Sequence, residues 1–496
     1  MNYGIITRPW LRSVISVVAG GLSTRAFSPF DLSWLVLLTL AVAFYSCNKL
    51  PGRQAAVNDW WFSIGLQCTG VSWIYYSLHV HGSAPVFFAV LLVFLLCSYL
   101  SLYTAFLAYT VNRFLPAATG LRLMVFYPLA WVLFEWLQGY VMTGFAWMQI
   151  GYTQIDLPLS GLAPVLGNHA VSGAVAFSAG VLLLTLLRRR DIRAGVLILL
   201  PLSLLWLVSA ALKDIHWTET SGEPITVSIV QANIPQKEKW QPKMKQPTKD
   251  IYRDLTQAQG EVDLVVWPET AIPDYLHRVG PYLQQIDNEL SRTNTDLVLG
   301  IFSQDDGLLN SVVNMDGGIY HKRHLVPLGE YIPLRFLIDF FNRFVKIPMS
   351  DIASGDEDQP LLTAAGVKLG VSICFEEAFA RDVIKDLPDA ELLLNVSNDA
   401  WFEDSIEPHQ HHTIARMRAL ETGRYMIRST NTGITSLIGP KGEVLSRLPQ
   451  FERAVLNGEV QPMTGETPFV IWGDWLVVIS SGLVLIGFGM SQLKRR

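Results

Sequence analysis

Charge is scarce in this chain. Of its 496 residues 16% are Asp, Glu, Lys or Arg, and 38 basic against 43 acidic side chains leave a formal net charge of -5. No basic tract is present, which argues against nucleic acid as a partner, and no acidic tail reads as a disordered arm. Cysteine is scarcer still. Cys47, Cys68 and Cys97 lie in apolar segments and Cys374 alone in a polar part, a distribution that does not suit a disulfide framework. Repeats and low-complexity tracts are missing as well. What is abundant is apolar character: half of the residues are hydrophobic. That composition suggests a membrane, and the length leaves room for more than one domain.

Apolar segments long enough to cross ~30 Å of hydrocarbon are read at 10–27, 30–47, 58–78, 84–111, 122–141, 168–187 and 193–212, and once more at 469–490. Seven spans thus precede a polar region and one follows it. Arg8 and Arg12 before the first span resemble the start of a signal peptide, and the later spans make it an uncleaved anchor. Basic residues fall in alternate loops: Lys49 and Arg53, Arg113 and Arg122, Arg188 to Arg190 with Arg193, then Lys494 to Arg496. "HVHGSAP" and the stretch from Met142 to His169 have no Lys or Arg. This asymmetry predicts cytoplasmic termini and a polar region on the opposite side.

The polar region, Glu219 to Thr467, reads as α/β. Runs such as "TVSIVQANI", "DLVVWPE", "TDLVLGIF", "KLGVSICFE" and "ELLLNVSND" have strand character. Between them, Thr248 to Gln259, Pro281 to Thr293 and His412 to Tyr425 have helical character, and "ITSLIGPKGEVLSRL" reads as a hairpin turning at Pro440 to Gly442.

Three side chains stand out chemically. Cys374 sits where a strand would stop and a helix would begin, with Glu376 and Glu377 in the first turn. A helix dipole there would lower the thiol pKa. A lone cysteine is more often a buried small hydrophobe. Glu269, in "DLVVWPETAIP", ends a strand on the edge where α/β proteins build sites. Lys322, in "IYHKRHLVPLGEYIP", stands eight residues before Glu330 in a loop fixed by Pro and Gly. Either could equally be a solvated surface charge.

Glutamate, lysine and cysteine in this chain order resemble the nitrilase superfamily, whose members carry a Glu-Lys-Cys triad on an α-β-β-α sandwich. With the membrane spans added, the chain resembles the apolipoprotein N-acyltransferase family. "GFAWMQIGYTQID", "GLAPVLG", "QANIPQKEKW", "VVWPETAIP", "YHKRHLVPLGEYIP", "SICFEEAF", "NVSNDAWF" and "RALETGRYMIRSTNTGIT" carry the likeness in order along nearly the whole length. The implied architecture is a bundle of eight transmembrane helices, in residues 1–218 and 468–496, plus an extracytoplasmic α/β nitrilase-like sandwich at 219–467. A bacterial inner-membrane location, with the catalytic domain periplasmic, follows from the same resemblance.

The likeness also implies an acyltransferase that needs no cofactor and no metal. A phosphatidylethanolamine-like phospholipid would donate a fatty acyl group to Cys374 as a thioester. The free α-amine of a diacylated apolipoprotein would then accept it. Glu269 would be the general base, and Lys322 would stabilise the oxyanion. Glu330 and Glu376 match supporting carboxylates, Trp240 an aromatic on a mobile loop, Trp147 a membrane-side wall of the substrate cavity, and Asn310 a polar site residue. Leu328 stands where an aromatic is usual, Phe375 where tyrosine is common, and Glu403 where glycine is common.

Other features stay open at this level. Arg335 to Pro348 gathers Phe336, Leu337, Phe340, Phe341 and Phe344 on one helical face, as an interfacial helix or an ordinary amphipathic one would. His409 and His412 share a helical face, yet no matching ligand pattern accompanies them. Glu135, inside a span, would either line a cavity or lie at the interface.

Overall fold

The computed structural model describes residues 8–305, 307–327, 329–331 and 351–494, and the chain forms two units. One comprises Met1–Ile74, Phe87–Ile215 and Trp472–Arg496; the other comprises Tyr75–Val86 and His216–Ile471. The stretch Tyr75–Val86, read from sequence as the end of one span, the loop after it and the start of the next span, therefore belongs with the polar unit.

The first unit is helical. Among the described residues five helices are long and apolar enough to cross a membrane: Val86–Phe114, Thr119–Gln138, Pro158–Leu187, Arg193–Lys213 and Trp475–Leu493. Pro9–Ser23 and Leu35–Cys47 are shorter, and Gly52–Gly70 carries Arg53 and Asp59. Helices Pro9–Ser23 and Gly52–Gly70 meet backbone to backbone. A Cβ on Gly20 would lie 1.8 Å from the Phe62 carbonyl oxygen, and one on Gly65 would lie 2.1 Å from that of Val17. Close approach through small residues is the usual way that helices associate where lipid offers no hydrophobic drive. Glu135 turns inward: its Oε1 accepts hydrogen bonds from Trp131 Nε1 at 2.7 Å and from the Ile150 amide at 2.9 Å. It thus anchors the irregular "GFAWMQIGYTQ" segment to its helix.

The second unit contains two six-stranded sheets. In chain order the strands of the first are β1 (Ile225–Gln231), β2 (Leu264–Trp267), β3 (Asp296–Gln304), β4 (Leu308–Asn314) and β5 (Gly318–His321). The second sheet holds β6 (Leu362–Ala364), β7 (Val367–Ile373), β8 (Leu392–Ser397), β9 (Met426–Thr430), β10 (Ser436–Ile438) and β11 (Val444–Arg447). Strand β12 (Ala454–Val460) returns to the first sheet, giving the orders β12-β1-β2-β3-β4-β5 and β11-β10-β9-β8-β7-β6. In each sheet three central strands run parallel, β1-β2-β3 and β7-β8-β9, and the outer pairs are antiparallel.

Alternation along the strands sorts side chains into layers. Val227, Ile229, Leu264, Val266 and Val298 of one sheet meet Leu369, Val371, Ile373, Leu392 and Leu394 of the other in a shared core. The opposite face of the first sheet packs Val265, Trp267, Leu297 and Leu299 against Tyr252 of helix α1 (Lys245–Gln257) and against Val279, Leu283 and Ile286 of helix α2 (Leu276–Leu290). On the second sheet's outer face, Leu393 and Met426 pack against Ala415 and Ala419 of helix α3 (Glu407–Thr422). The layers are therefore helix, sheet, sheet, helix. The parallel strands point their C-terminal ends to one rim, where open α/β sheets place their sites.

Candidate active site

Glu269 lies two residues past the end of β2. The chain turns there through Thr270, whose φ of 45° is left-handed, and the Ala271 amide donates to the Gly300 carbonyl at 2.9 Å. Neighbouring β3 must pass close by. A Cβ on Gly300 would stand 2.6 Å from Glu269 Cα, so only glycine fits. The carboxylate is 8% exposed and its Oε1 accepts from Asn310 Nδ2 at 2.7 Å. Burial pushes its pKa above the ordinary glutamate value, against the pull of the Lys322 ammonium.

Lys322 follows β5 and is 1% exposed. Its Nζ donates to Glu330 Oε1 at 2.8 Å, and its amide donates to the Asn310 carbonyl at 2.8 Å. Asn310 Nδ2 also lies 3.3 Å from Glu330 Oε1, and Glu330 Oε2 accepts from the Val326 amide at 2.8 Å. Although burial pulls the lysine down, Glu330 and Glu269 more than offset it and hold the ammonium above its usual range. The lysine is thus a fixed positive charge.

Cys374 directly follows β7 with a φ of 53°, a left-handed conformation that costs a non-glycine residue about 1–3 kcal/mol. The helix expected to follow is broken into short pieces. Cys374–Ala378 is a single 3-10 turn, Phe379 is extended, and Ala380–Val383 and Ile384–Asp386 are two further turns. With no long helix to supply a dipole, the expected lowering of the thiol pKa is overturned: burial raises it, as does the Glu269 carboxylate, while Lys322 opposes them.

Glu376 ties the lysine loop to the cysteine strand. Its Oε1 accepts from the amides of Arg323 at 2.6 Å and His324 at 2.9 Å, its Oε2 from the Ile373 amide at 2.7 Å, and both from Tyr320 Oη at 3.1 Å. Burial pushes its pKa up to about 7, against Lys322 and these amides. Phe375 is buried 5.0 Å from Phe379 and 6.0 Å from His324, ring to ring.

Two family models match this chain. One, described as "Apolipoprotein N-acyltransferase N-terminal domain", matches residues 19–181, and the other, "Carbon-nitrogen hydrolase", matches residues 226–469. An apolipoprotein N-acyltransferase of Methylococcus capsulatus is 38% identical over 487 residues, 96% of either chain. One from Pseudomonas syringae pv. tomato is 39% identical, covering 99% of this chain and 98% of its own. Another from Azotobacter vinelandii is 40% identical, covering 99% and 97%. The chain belongs to the apolipoprotein N-acyltransferase family.

Of the positions singled out for their likeness to apolipoprotein N-acyltransferases, Glu269, Asn310, Lys322, Glu330, Cys374, Phe375 and Glu376 gather at the sandwich rim. Trp240 follows the short helix Gln236–Lys239, is 37% exposed and lies 5.8 Å from the Phe302 ring. Trp147 is in the helical unit, packed with Trp73 at 5.4 Å. Leu328 and the amphipathic segment at 335–348 lie outside the described residues.

Sequence reading passed over several residues of this rim. Lys239, inside the quoted "QKEKW", is 1% exposed and donates to the Glu269 carbonyl at 3.3 Å and Thr270 Oγ1 at 3.0 Å. His411, not His409 or His412, meets Cys374: Nε2 donates to the Cys374 carbonyl at 3.2 Å, and Nδ1 faces Asp399 Oδ1 at 3.2 Å. Asp399, Glu407 and His411 are close enough to share a cation. Arg428 already places its guanidinium on Asp399 at 3.3 Å and pairs with Glu377, so the cluster works as an ion-pair network behind the cysteine. His412 instead meets Ser436 Oγ at 3.0 Å. Glu403 has φ 51° and ψ -152°, a region suited to glycine, and lies 3.1 Å from His81 Nε2.

Proposed function

We propose that this chain transfers a fatty acyl group from a phospholipid to the α-amine of a diacylated apolipoprotein, through a thioester on Cys374. The observation that carries the reading is the gathering, in a member of this family, of the Cys374 thiol, the buried Glu269 carboxylate and the buried Lys322 ammonium at one rim of the sandwich, the last two tied together through Asn310 and Glu330.

In the first half-reaction Glu269 takes the thiol proton as sulfur attacks the ester carbonyl of the donor, a phosphatidylethanolamine-like lipid. Negative charge develops on the carbonyl oxygen, and Lys322 offsets it. The carbon–oxygen bond then breaks, and the lysophospholipid alkoxide takes the proton back from Glu269. In the second, the lipoprotein amine attacks the thioester carbonyl, Glu269 accepts an amine proton, the carbon–sulfur bond breaks and that proton returns to sulfur. An α-amine has a pKa near ~7.7–8.0, so a useful fraction arrives neutral. Asn310 and Glu330 hold the carboxylate and ammonium in register, and Glu376 holds their loop to the cysteine strand. Trp240 covers the mouth, and Trp147 belongs to the membrane side of the substrate path.

Eight helices cross the bacterial inner membrane in this reading, with both termini cytoplasmic and the sandwich periplasmic. Five long apolar helices and the placement of Lys and Arg support it.

The test is intact-mass spectrometry of the purified chain mixed with phospholipid. One acyl adduct on Cys374 is expected, stable until a diacylated lipopeptide is added and then transferred to it. Adduct decay in water without an acceptor would make the chain a hydrolase. Absence of any adduct, or an adduct surviving Cys374→Ala, would refute the assignment.

A further inference from the structure

We propose that Lys239 is a positioning residue for Glu269, a second buried cation that keeps the carboxylate ionised and couples its loop to the Trp240 segment. The inference rests on the acyl-transfer reading for the reaction Glu269 serves.

The geometry is specific. Lys239 closes the turn Gln236–Lys239, directly before Trp240. Its side chain leaves solvent altogether, and both of its hydrogen-bond acceptors belong to the loop that presents Glu269, namely that residue's own carbonyl and the Thr270 hydroxyl. Both acceptors are neutral. A buried ammonium demands a counter-charge, and the charge acting on it is that of Glu269, which offsets in part the burial that lowers Lys239 to about 8.

Glu269 therefore feels two cations, Lys322, which it shares with Glu330, and Lys239, which holds its backbone carbonyl. Lys322 also faces Glu376, so the two ammonium groups stand among three carboxylates, with Cys374 as the neutral thiol. Removing Lys239 enlarges the excess of negative charge, which favours protonated Glu269 and disables it as a base. Lys237 and Glu238 share the turn with Lys239, and Cys374 is the remaining titratable group acting with Glu269. The same contacts make any displacement of the Trp240 segment pull on the Glu269 backbone.

The experiment measures, in the full-length protein in detergent, the pH dependence of two rates: iodoacetamide alkylation of Cys374, followed on its peptide by mass spectrometry, and acylation by phosphatidylethanolamine vesicles. Lys239→Gln keeps hydrogen-bond donors but drops the charge, and should move the acid limb of both profiles upward by about one pH unit. Lys239→Arg keeps the charge and should leave the limb in place. Thr270→Ala removes one hydrogen bond, so acylation slows while the limb stays. An unmoved acid limb in Lys239→Gln overturns the proposal, whatever happens to the absolute rate. A shifted alkylation profile in a protein whose wild type forms no acyl adduct would sustain this inference and sink the acyl-transfer reading.

Discussion

Asn310 Nδ2 lies 2.7 Å from Glu269 Oε1 and 3.3 Å from Glu330 Oε1. One neutral amide thus spaces two carboxylates that would otherwise repel across a buried site. Asn310→Asp puts a third carboxylate between them, and misplacement of this order costs about 100-fold in rate. Single-turnover acylation should fall by that amount. An unchanged rate would show that the amide does not set the register.

The first half-reaction should show an acid limb set by Glu269. Burial raises Glu269 above the ordinary glutamate value, so acylation is lost on acidification earlier than a solvent-exposed carboxylate would allow, because the protonated form cannot accept the thiol proton. Acylation measured without an amine acceptor should therefore fall as the pH drops through the raised Glu269 pKa. A rate that holds unchanged down into the ordinary glutamate range would contradict this.

At Gly300 the first atom of any side chain is already too much. Its Cβ would stand 2.6 Å from Glu269 Cα and 2.8 Å from the Pro268 carbonyl oxygen. Gly300→Ala should cost about 1–3 kcal/mol of stability and slow acylation with it. Thermal unfolding and adduct formation check the two effects separately.

Backbone strain at Cys374 can be read as a difference between two variants that both lack the thiol. With φ at 53°, Cys374→Gly should be more stable than Cys374→Ala by about 1 kcal/mol, since glycine adopts that conformation freely. Equal melting temperatures would mean the turn relaxes instead.

Glu403 offers the same test away from the chemistry. Its φ of 51° and ψ of -152° cost about 1–3 kcal/mol, and its contact with His81 is half exposed on the glutamate side. Glu403→Gly should raise stability by about 1 kcal/mol. A loss of stability would show that the His81 pair outweighs the strain.

Strand alternation gave away β1, β2, β3, β7 and β8, because side-chain period and β-branched content are local properties. Helix Lys245–Gln257 lies within three residues of its expected limits for the same reason, whereas Glu407–Thr422 starts five residues before the expected His412. The helix after Cys374 was misread. Glu376 and Glu377 suit a first helical turn, yet Glu376 folds back onto the amides of Ile373, Arg323 and His324, contacts no local pattern reveals. Lys239 and His411 were overlooked because each, taken by neighbours in sequence, looks like an ordinary polar residue.

The order of apolar runs, the charge asymmetry of the loops and the motifs around Glu269, Lys322 and Cys374 were written in the linear chain, where composition and spacing suffice. Which lysine touches the Glu269 loop, which histidine meets the Cys374 carbonyl and which way the thiol pKa moves were decided only when two sheets stacked. Burial and long-range charge are properties of that packing: desolvation acts on a group according to what surrounds it in space, whatever residues flank it in sequence.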